Sequence, residues 1–210
     1  MAAGVKYHLA ALKSERIKIK KTWGDKSMKT LIFNGSPRKK GNTMSLVNEL
    51  LKHLKGEHKL VDAYYCGIKP CIDCRYCWKN PGCSIKDGMT EIYDYIQEAD
   101  NIIVASSLNF AELTGQLLSV LSRLQTYYCA ETLRNETPIP KAKRGGIILV
   151  GGGDGTTTTA QKTAKLILKH MNAKEIAPPV ISHNTDRVAA IDDPAAMSGI
   201  RELASFLNRD

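Results

Sequence analysis

Apolar residues along this chain follow two alternating patterns. Continuous apolar runs at 30–34, 101–105 and 146–150, and a mixed run starting at Lys59-Leu60-Val61, predict strands. Runs this short with no polar alternation belong to strands buried on both faces. Between them, apolar residues recur every three or four positions. Met44, Val47, Leu50, Leu51 and Leu54 do so within 43–54, Met89, Ile92, Tyr95 and Ile96 within 87–98, and Leu117, Leu118, Leu121 and Leu124 within 114–127. That spacing predicts helices with one buried face. Residues 156–170 and 194–207 read as further helices, and 175–180 as a last strand. Strands and helices in alternation predict an α/β fold, a doubly wound parallel sheet with helices on both faces.

Ligands of such sheets bind outside the carboxyl ends of the strands. Three chemically unusual loops leave those ends, 34–43, 106–115 and 151–156, and the pattern places all three on one crevice. The first joins a strand to a helix and is built of Gly, Ser, Asn and Thr, which suits a phosphate cradle. Unpaired N–H groups at a helix start and the helix dipole both favour an anion. Ser36, Asn42 and Thr43 add donors, and Arg38 adds a charged fork. A plain capped turn is the alternative, but capping alone does not call for these four together. The loop has neither the Gly-Lys-Ser/Thr of a Walker motif nor a Gly-x-Gly-x-x-Gly fingerprint. The third loop, Gly151-Gly152-Gly153-Asp154-Gly155-Thr156, has Thr where that fingerprint ends in Gly. A monophosphate cradle of this kind suits FMN better than a dinucleotide or ATP.

The 210 residues suit one domain, and no apolar run is long enough to span a membrane. The net charge of +9 divides unevenly: residues 1–29 hold eight Lys/Arg and two Asp/Glu, and residues 30–210 hold twenty-two and nineteen. The body is therefore only mildly basic, which argues against nucleic acid as partner. Residues 1–27 form a basic leader expected to stand apart from the domain at 28–210, with Met28 as the natural first residue; a membrane-surface or nucleic-acid arm is the other reading. The expected location is cytoplasmic.

Cys71, Cys74, Cys77 and Cys83 fall within thirteen residues. In a cytoplasmic chain this argues against a disulfide framework. The spacing lets one loop wrap three corners of a cubane, with Cys83 supplying the fourth after the Pro81-Gly82 turn. Zinc more often takes two separated pairs, and simple metal-free thiols are the third reading. Cys66 and Cys129 read as packing residues. The five histidines show no ligand or dyad spacing, and no catalytic side chain is assigned.

Gly35-Ser36-Pro37-Arg38 followed by Gly41-Asn42-Thr43 resembles the phosphate loop of the flavodoxin-like NAD(P)H-dependent FMN reductases. The cysteine run followed by Asp87-Gly88-Met89 resembles the iron-sulfur flavoprotein branch. Gly115-Gln116-Leu117, Arg123 and the 151–155 loop extend the likeness over about residues 29–207. The resemblance implies FMN on a five-stranded sheet of order 2-1-3-4-5, with a Cys-rich loop inserted at 66–86. Ser36, Arg38, Asn42 and Thr43 would bind phosphate, and Leu108, Asn109 and Phe110 the ring or ribityl chain. Gly151, Gly152 and Gly153 would let backbone approach the isoalloxazine. A [4Fe–4S] cluster on Cys71, Cys74, Cys77 and Cys83 would relay electrons. NAD(P)H or a ferredoxin-like protein would be the donor, in a homodimer or homotetramer with 65–86 as an assembly element. The alternative is a non-catalytic, flavodoxin-like shuttle or flavin-binding module without a cluster. Relatives carry Ser-Pro-φ-Tyr-Phe/Trp in the second loop, where φ is apolar; this chain has Ser106-Ser107-Leu108-Asn109-Phe110. Leu118 and Ser122 replace the polar Lys and Asp common on the following helix. Losing an aromatic contact worth about 1 kcal/mol implies weaker FMN binding.

Overall fold

The computed structural model describes residues 27–209. All but the last residue of the basic leader therefore lies outside the described residues. The chain opens with β1 (Lys29–Asn34), α1 (Asn42–His53) and β2 (Glu57–Asp62). The Cys-rich excursion follows and contains only α2 (Tyr76–Lys79). Next come α3 (Met89–Glu98), β3 (Asn101–Asn109), β4 (Glu112–Leu113), α4 (Gly115–Leu121) and α5 (Gln125–Leu133). The remainder is β5 (Lys143–Val150), α6 (Thr158–His170), β6 (Ala173–Ile176), β7 (Val180–Ser182) and α7 (Pro194–Leu207).

The sheet runs β2-β1-β3-β5-β6, with β7 also parallel to β5. Successive strand residues point to opposite faces, and both faces are covered. Leu31, Phe33, Ile102, Val104, Ile147 and Leu149 pack with Met89, Ile96, Leu117 and Leu168 of α3, α4 and α6. Ile32, Ile103, Ala105, Ile148 and Val150 pack with Val47 and Leu50 of α1 and Ile200 and Leu203 of α7. This two-sided burial is why the strands read as unbroken apolar runs. α7 starts where expected: Asp193 accepts from the amides of Ala195 and Ala196, and Pro194 fills the first helical position. No helix among the described residues is long and apolar enough to cross a membrane.

The sheet has seven strands, not the expected five. Its parallel positions keep the 2-1-3-4-5 order, but the last position is shared by β6 and β7. The strand predicted at 175–180 straddles their junction, where Pro178-Pro179 has no N–H to donate to a ladder. β4 is an added antiparallel strand pairing Leu113 with Leu108 and Glu112 with Asn109. The helix predicted at 114–127 is interrupted by a 3-10 turn at Ser122–Leu124 and continues to Leu133. Ser122 Oγ donates to the Ser119 carbonyl (2.6 Å), a back-bond that competes with the helical ladder and bends it.

Lys143, at the start of β5, is buried, and its Nζ donates to the Ala99 carbonyl (2.9 Å) beyond the end of α3. Burial, reinforced by Lys141, pulls its pKa down to about 8, against a smaller opposing effect of Asp100. The unfolded chain thus holds this proton to higher pH than the folded one, so folding stability rises with pH between about 8 and the ordinary lysine value near 10.4. We expect Lys143→Met to remove that rise. Urea unfolding of both proteins across pH 7–11 measures the difference.

Candidate functional site

The first loop is keyed into the sheet before it opens. Gly35 N–H still donates to the Ala105 carbonyl (2.8 Å). The Asn34 side chain accepts from Ser36 N–H (3.0 Å) and donates to Asp62 (2.8 Å), which turns the chain off β1. A Cβ on Gly35 would lie 2.8 Å from Leu117 Cδ2, Ser106 Oγ and Thr114 Oγ1. Thr114 Oγ1 donates to the Gly35 carbonyl (2.8 Å), so the first two loops lock together. At the far end Gly41 precedes α1 and no side chain caps the helix; the Gly41 carbonyl accepts from Ser45 N–H (2.9 Å). The first-turn amides of a twelve-residue helix are therefore left for an outside acceptor.

Ser36, Arg38, Asn42 and Thr43 all sit on this loop, but in different roles. Ser36 and Thr43 are buried, and Arg38 is exposed beside Gly41. Asn42 is a tie: its Nδ2 donates to the Thr185 carbonyl (3.3 Å), and its Oδ1 accepts from Ala190 N–H (3.1 Å). Tyr65 supports the outer side by donating to the Pro37 carbonyl (2.6 Å). A glycine-lined loop running into an uncapped helix, with a free-standing guanidinium beside it, fits the phosphate of FMN.

The Gly-rich loop after β5 is stapled by the segment after β7. Gly151 N–H donates to the Ser182 carbonyl (2.9 Å), and the carbonyls of Gly151, Gly152 and Gly153 accept from the amides of Thr185, Asp186 and Asn184. Gly153 and Gly155 face open space. Leu108, Ala111, Gly151, Gly152, Gly153, Gly155 and Thr156 line a cavity of about 150 Å³. Leu108 and the three glycines line this cavity together, while Asn109 and Phe110 do not. β3 runs on to Asn109 and reverses through Phe110 (φ 51°) and Ala111 (φ 63°). Two left-handed residues make a turn usually built from Asn-Gly. Here it is held by α6, whose Ala160 N–H donates to the Ala111 carbonyl (3.2 Å) and whose Thr163 donates to Glu112 (2.8 Å). Phe110 is left fully exposed at the tip. The β3–β4 hairpin and its two bonds to α6 thus fix this loop, which carries Ser107 and no proline.

Sequence reasoning missed several of these residues. Ala111, Thr114, Thr185 and Asp186 act through backbone or short hydroxyl contacts, which carry no motif. His183, given no role, places a buried Nδ1 without a partner beside Gly151.

The Cys-rich excursion is tied down by Arg123, whose side chain is fully buried. Its Nη1 donates to Asp87 (2.8 Å) and the Lys69 carbonyl (2.9 Å), and its Nη2 to the Ile85 carbonyl (3.0 Å). Burial would raise the Asp87 pKa, but Arg123 and the amides of Lys69 and Met89 outweigh it and hold the carboxyl below its ordinary range. Asp73 (φ 49°) and Arg75 (φ 58°) twist the backbone between the first three cysteines. Cys71, Cys74, Cys77 and Cys83 line one cavity. The donor chemistry suits a cluster, yet among the described residues no three such side chains come together as a metal site. The Cys74 thiol meets Ser84 Oγ (3.1 Å), and that of Cys77 is directed at Cys129 (3.7 Å). Burial, then the neighbouring Cys129 thiol, pushes Cys77 up to about 11. The four thiols thus border one cavity without being gathered into a single coordination sphere in this structure.

Residues 28–186 match the family described as NADPH-dependent FMN reductase. An iron-sulfur flavoprotein of Methanocaldococcus jannaschii is 32% identical over 148 residues, covering 68% of this chain and 73% of that one. An iron-sulfur flavoprotein of Archaeoglobus fulgidus is 30% identical over 131 residues, covering 61% of this chain and 56% of that one. An NAD(P)H:quinone oxidoreductase from Methanothermobacter marburgensis superposes with a TM-score of 0.70 at 14% identity, covering 88% of this chain and 98% of that one, which shows a shared fold.

Arg123→Ala would strand Asp87 and free both ends of the excursion. Breaking a buried pair in this way costs ~3–5 kcal/mol, and urea unfolding should show a loss of that size. Asp87 has its pKa depressed on folding, so its contribution is present above the ordinary carboxylate value near 3.9 and is lost as pH falls below it. The stability gap between wild type and Asp87→Asn should therefore narrow as pH drops from 5 to 3.

Proposed function

The chain belongs to the NADPH-dependent FMN reductase family, and we propose that it holds FMN with its phosphate on the 35–43 loop and its ring beside the 151–156 loop. The chain is an FMN-dependent oxidoreductase, and in this reading a nicotinamide supplies its electrons. Bound FMN would supply the redox chemistry, accepting two electrons and passing them to an acceptor. The chain's own residues do the rest. The α1 amides and Arg38 neutralise the phosphate, Asn42 holds that helix start against the 185–190 segment, and the stapled glycines keep backbone within reach of a flat ring. No side-chain acid or base is required, which agrees with the absence of an evident dyad. The single observation that carries the reading is the uncapped start of α1 behind Gly41, with Arg38 beside it.

One observation favours the shuttle reading as an alternative: the cavity at the Gly-rich loop has no aromatic side chain in its lining. Anaerobic mixing with NADH or NADPH separates the two. Bleaching of the flavin band supports the reductase; a flavin left oxidised by both but reduced by a ferredoxin-like donor supports the shuttle. A homodimer or homotetramer built on the 65–86 segment is supported by exposed Tyr65, Ile72, Tyr76 and Trp78.

Arg38 is exposed, so Arg38→Ala should leave stability within about 0.5 kcal/mol of wild type. Losing a charge-assisted contact of ~1.5–3 kcal/mol should weaken FMN binding roughly 10- to 100-fold. Riboflavin, which has no phosphate, should bind both proteins equally. Flavin-fluorescence titration measures both ligands, and equal FMN affinity in the two proteins would remove Arg38 from the site.

A further inference from the structure

We propose that Cys77 and Cys129 form an oxidisable thiol pair whose disulfide joins α2 to α5 and withdraws Cys77 from the four-cysteine array. The two residues are 52 positions apart in the chain, yet their sulfurs lie 3.7 Å apart. A disulfide needs about 2.05 Å, so the closure is under 2 Å. The two partners differ in a way that suits such a bond. Cys129 is 1% exposed on α5, where Gln125 Nε2 points at its sulfur (3.9 Å). Cys77 is half-buried on the short α2 and borders the cavity that the other three array cysteines share. Arg134 of the segment after α5 donates to the Cys77 carbonyl, which holds α2 against α5. The remaining thiols are engaged elsewhere where the structure shows a partner: Cys74 with Ser84, and Cys66 with the Ala63 carbonyl.

The oxidant is a low-molecular-weight disulfide, RSSR. Cys77, reached through the cavity, gives its proton to solvent base, and its thiolate attacks one sulfur of RSSR, forming a mixed disulfide and releasing RS⁻, which takes up a proton as the first RSH. Because burial and Cys129 hold the Cys77 proton, this step is slow at neutral pH and quickens as pH rises. The sulfur of Cys129 then attacks Cys77 Sγ, forming the protein disulfide and releasing the second RSH. Two protein thiols are oxidised and one RSSR is reduced to two RSH, so atoms and electrons balance. This inference does not depend on the flavin reading, because neither cysteine borders the Gly-rich loop or the phosphate cradle.

The test uses full-length protein, as purified and after chelator treatment, exposed to oxidised glutathione and then unfolded, alkylated and digested. The expected result is a linked pair of peptides holding Cys77 and Cys129, with alkylated thiols falling from six to four. In Cys129→Ser the link is absent and Cys77 is recovered alkylated or glutathionylated. Circular dichroism and flavin titration check that this variant folds; if it does not, the wild-type peptide map decides alone. Cys77 linked instead to Cys71, Cys74 or Cys83, or Cys129 alkylated in full in both samples, would overturn the proposal.

Discussion

The buried guanidinium of Arg123 is the contact on which the whole Cys-rich excursion depends. An excursion between β2 and α3 has little secondary structure of its own, and its two ends must be brought together. Arg123 does this by bonding the Lys69 carbonyl at one end and the Ile85 carbonyl and Asp87 carboxylate at the other. Lys69 N–H closes the ring by donating to the same carboxylate (3.0 Å). A buried ion pair contributes little net stability compared with an apolar packing of equal volume, but its loss is severe. Its value here is geometric: the planar fork fixes three acceptors at once, which a lysine ammonium on a flexible stem could not reproduce. The 3-10 turn between α4 and α5 lets Arg123 point inward instead of following the helix face.

The cleft proposed for the flavin rests on a different device, the locking of loops to one another through backbone. The first two loops are joined at Gly35, where Thr114, Ser106 and Leu117 leave no room for a Cβ. The third loop is joined to the segment after β7 by a run of amide-to-carbonyl bonds, and Asn42 ties that segment back to α1. Few of these contacts need a particular side chain beyond a small one. The site is thus preorganised by close approach of main chain, which suits a flat cofactor that carries the reaction chemistry itself.

Strain marks the same places. The non-glycine residues Phe110 and Ala111 adopt left-handed conformations at the cleft, as Asp73 and Arg75 do in the cysteine loop. Each such residue costs of order 1 kcal/mol and persists only where surrounding bonds hold it. At the cleft the holding bonds come from α6. In the cysteine loop the Arg75 carbonyl accepts from Trp78 N–H (3.1 Å), while Arg123 holds the loop's two ends and Arg134 the adjoining α2.

The sequence alone was enough to determine a parallel sheet covered by helices on both faces, because strands buried on both faces must be apolar throughout. It was also enough to single out the 35–43 loop as the proposed phosphate cradle, because an anion cradle at a helix start calls for Gly, Ser, Asn and Thr at adjacent positions. Only the tertiary structure decided where the side chains within those segments went. Asn42 became a tie to Thr185 and Ala190, and Phe110 an exposed tip because α6 holds the neighbouring Ala111 through Ala160, partners more than forty residues away. The split of the last strand at Pro178-Pro179 was legible in principle, because proline cannot donate to a ladder. The pairing of Cys77 with Cys129 was not, since nothing local marks a buried thiol that meets another across the fold. Periodicity and local chemistry report what a segment must bury or bind; which distant group it meets is set by how the helices pack.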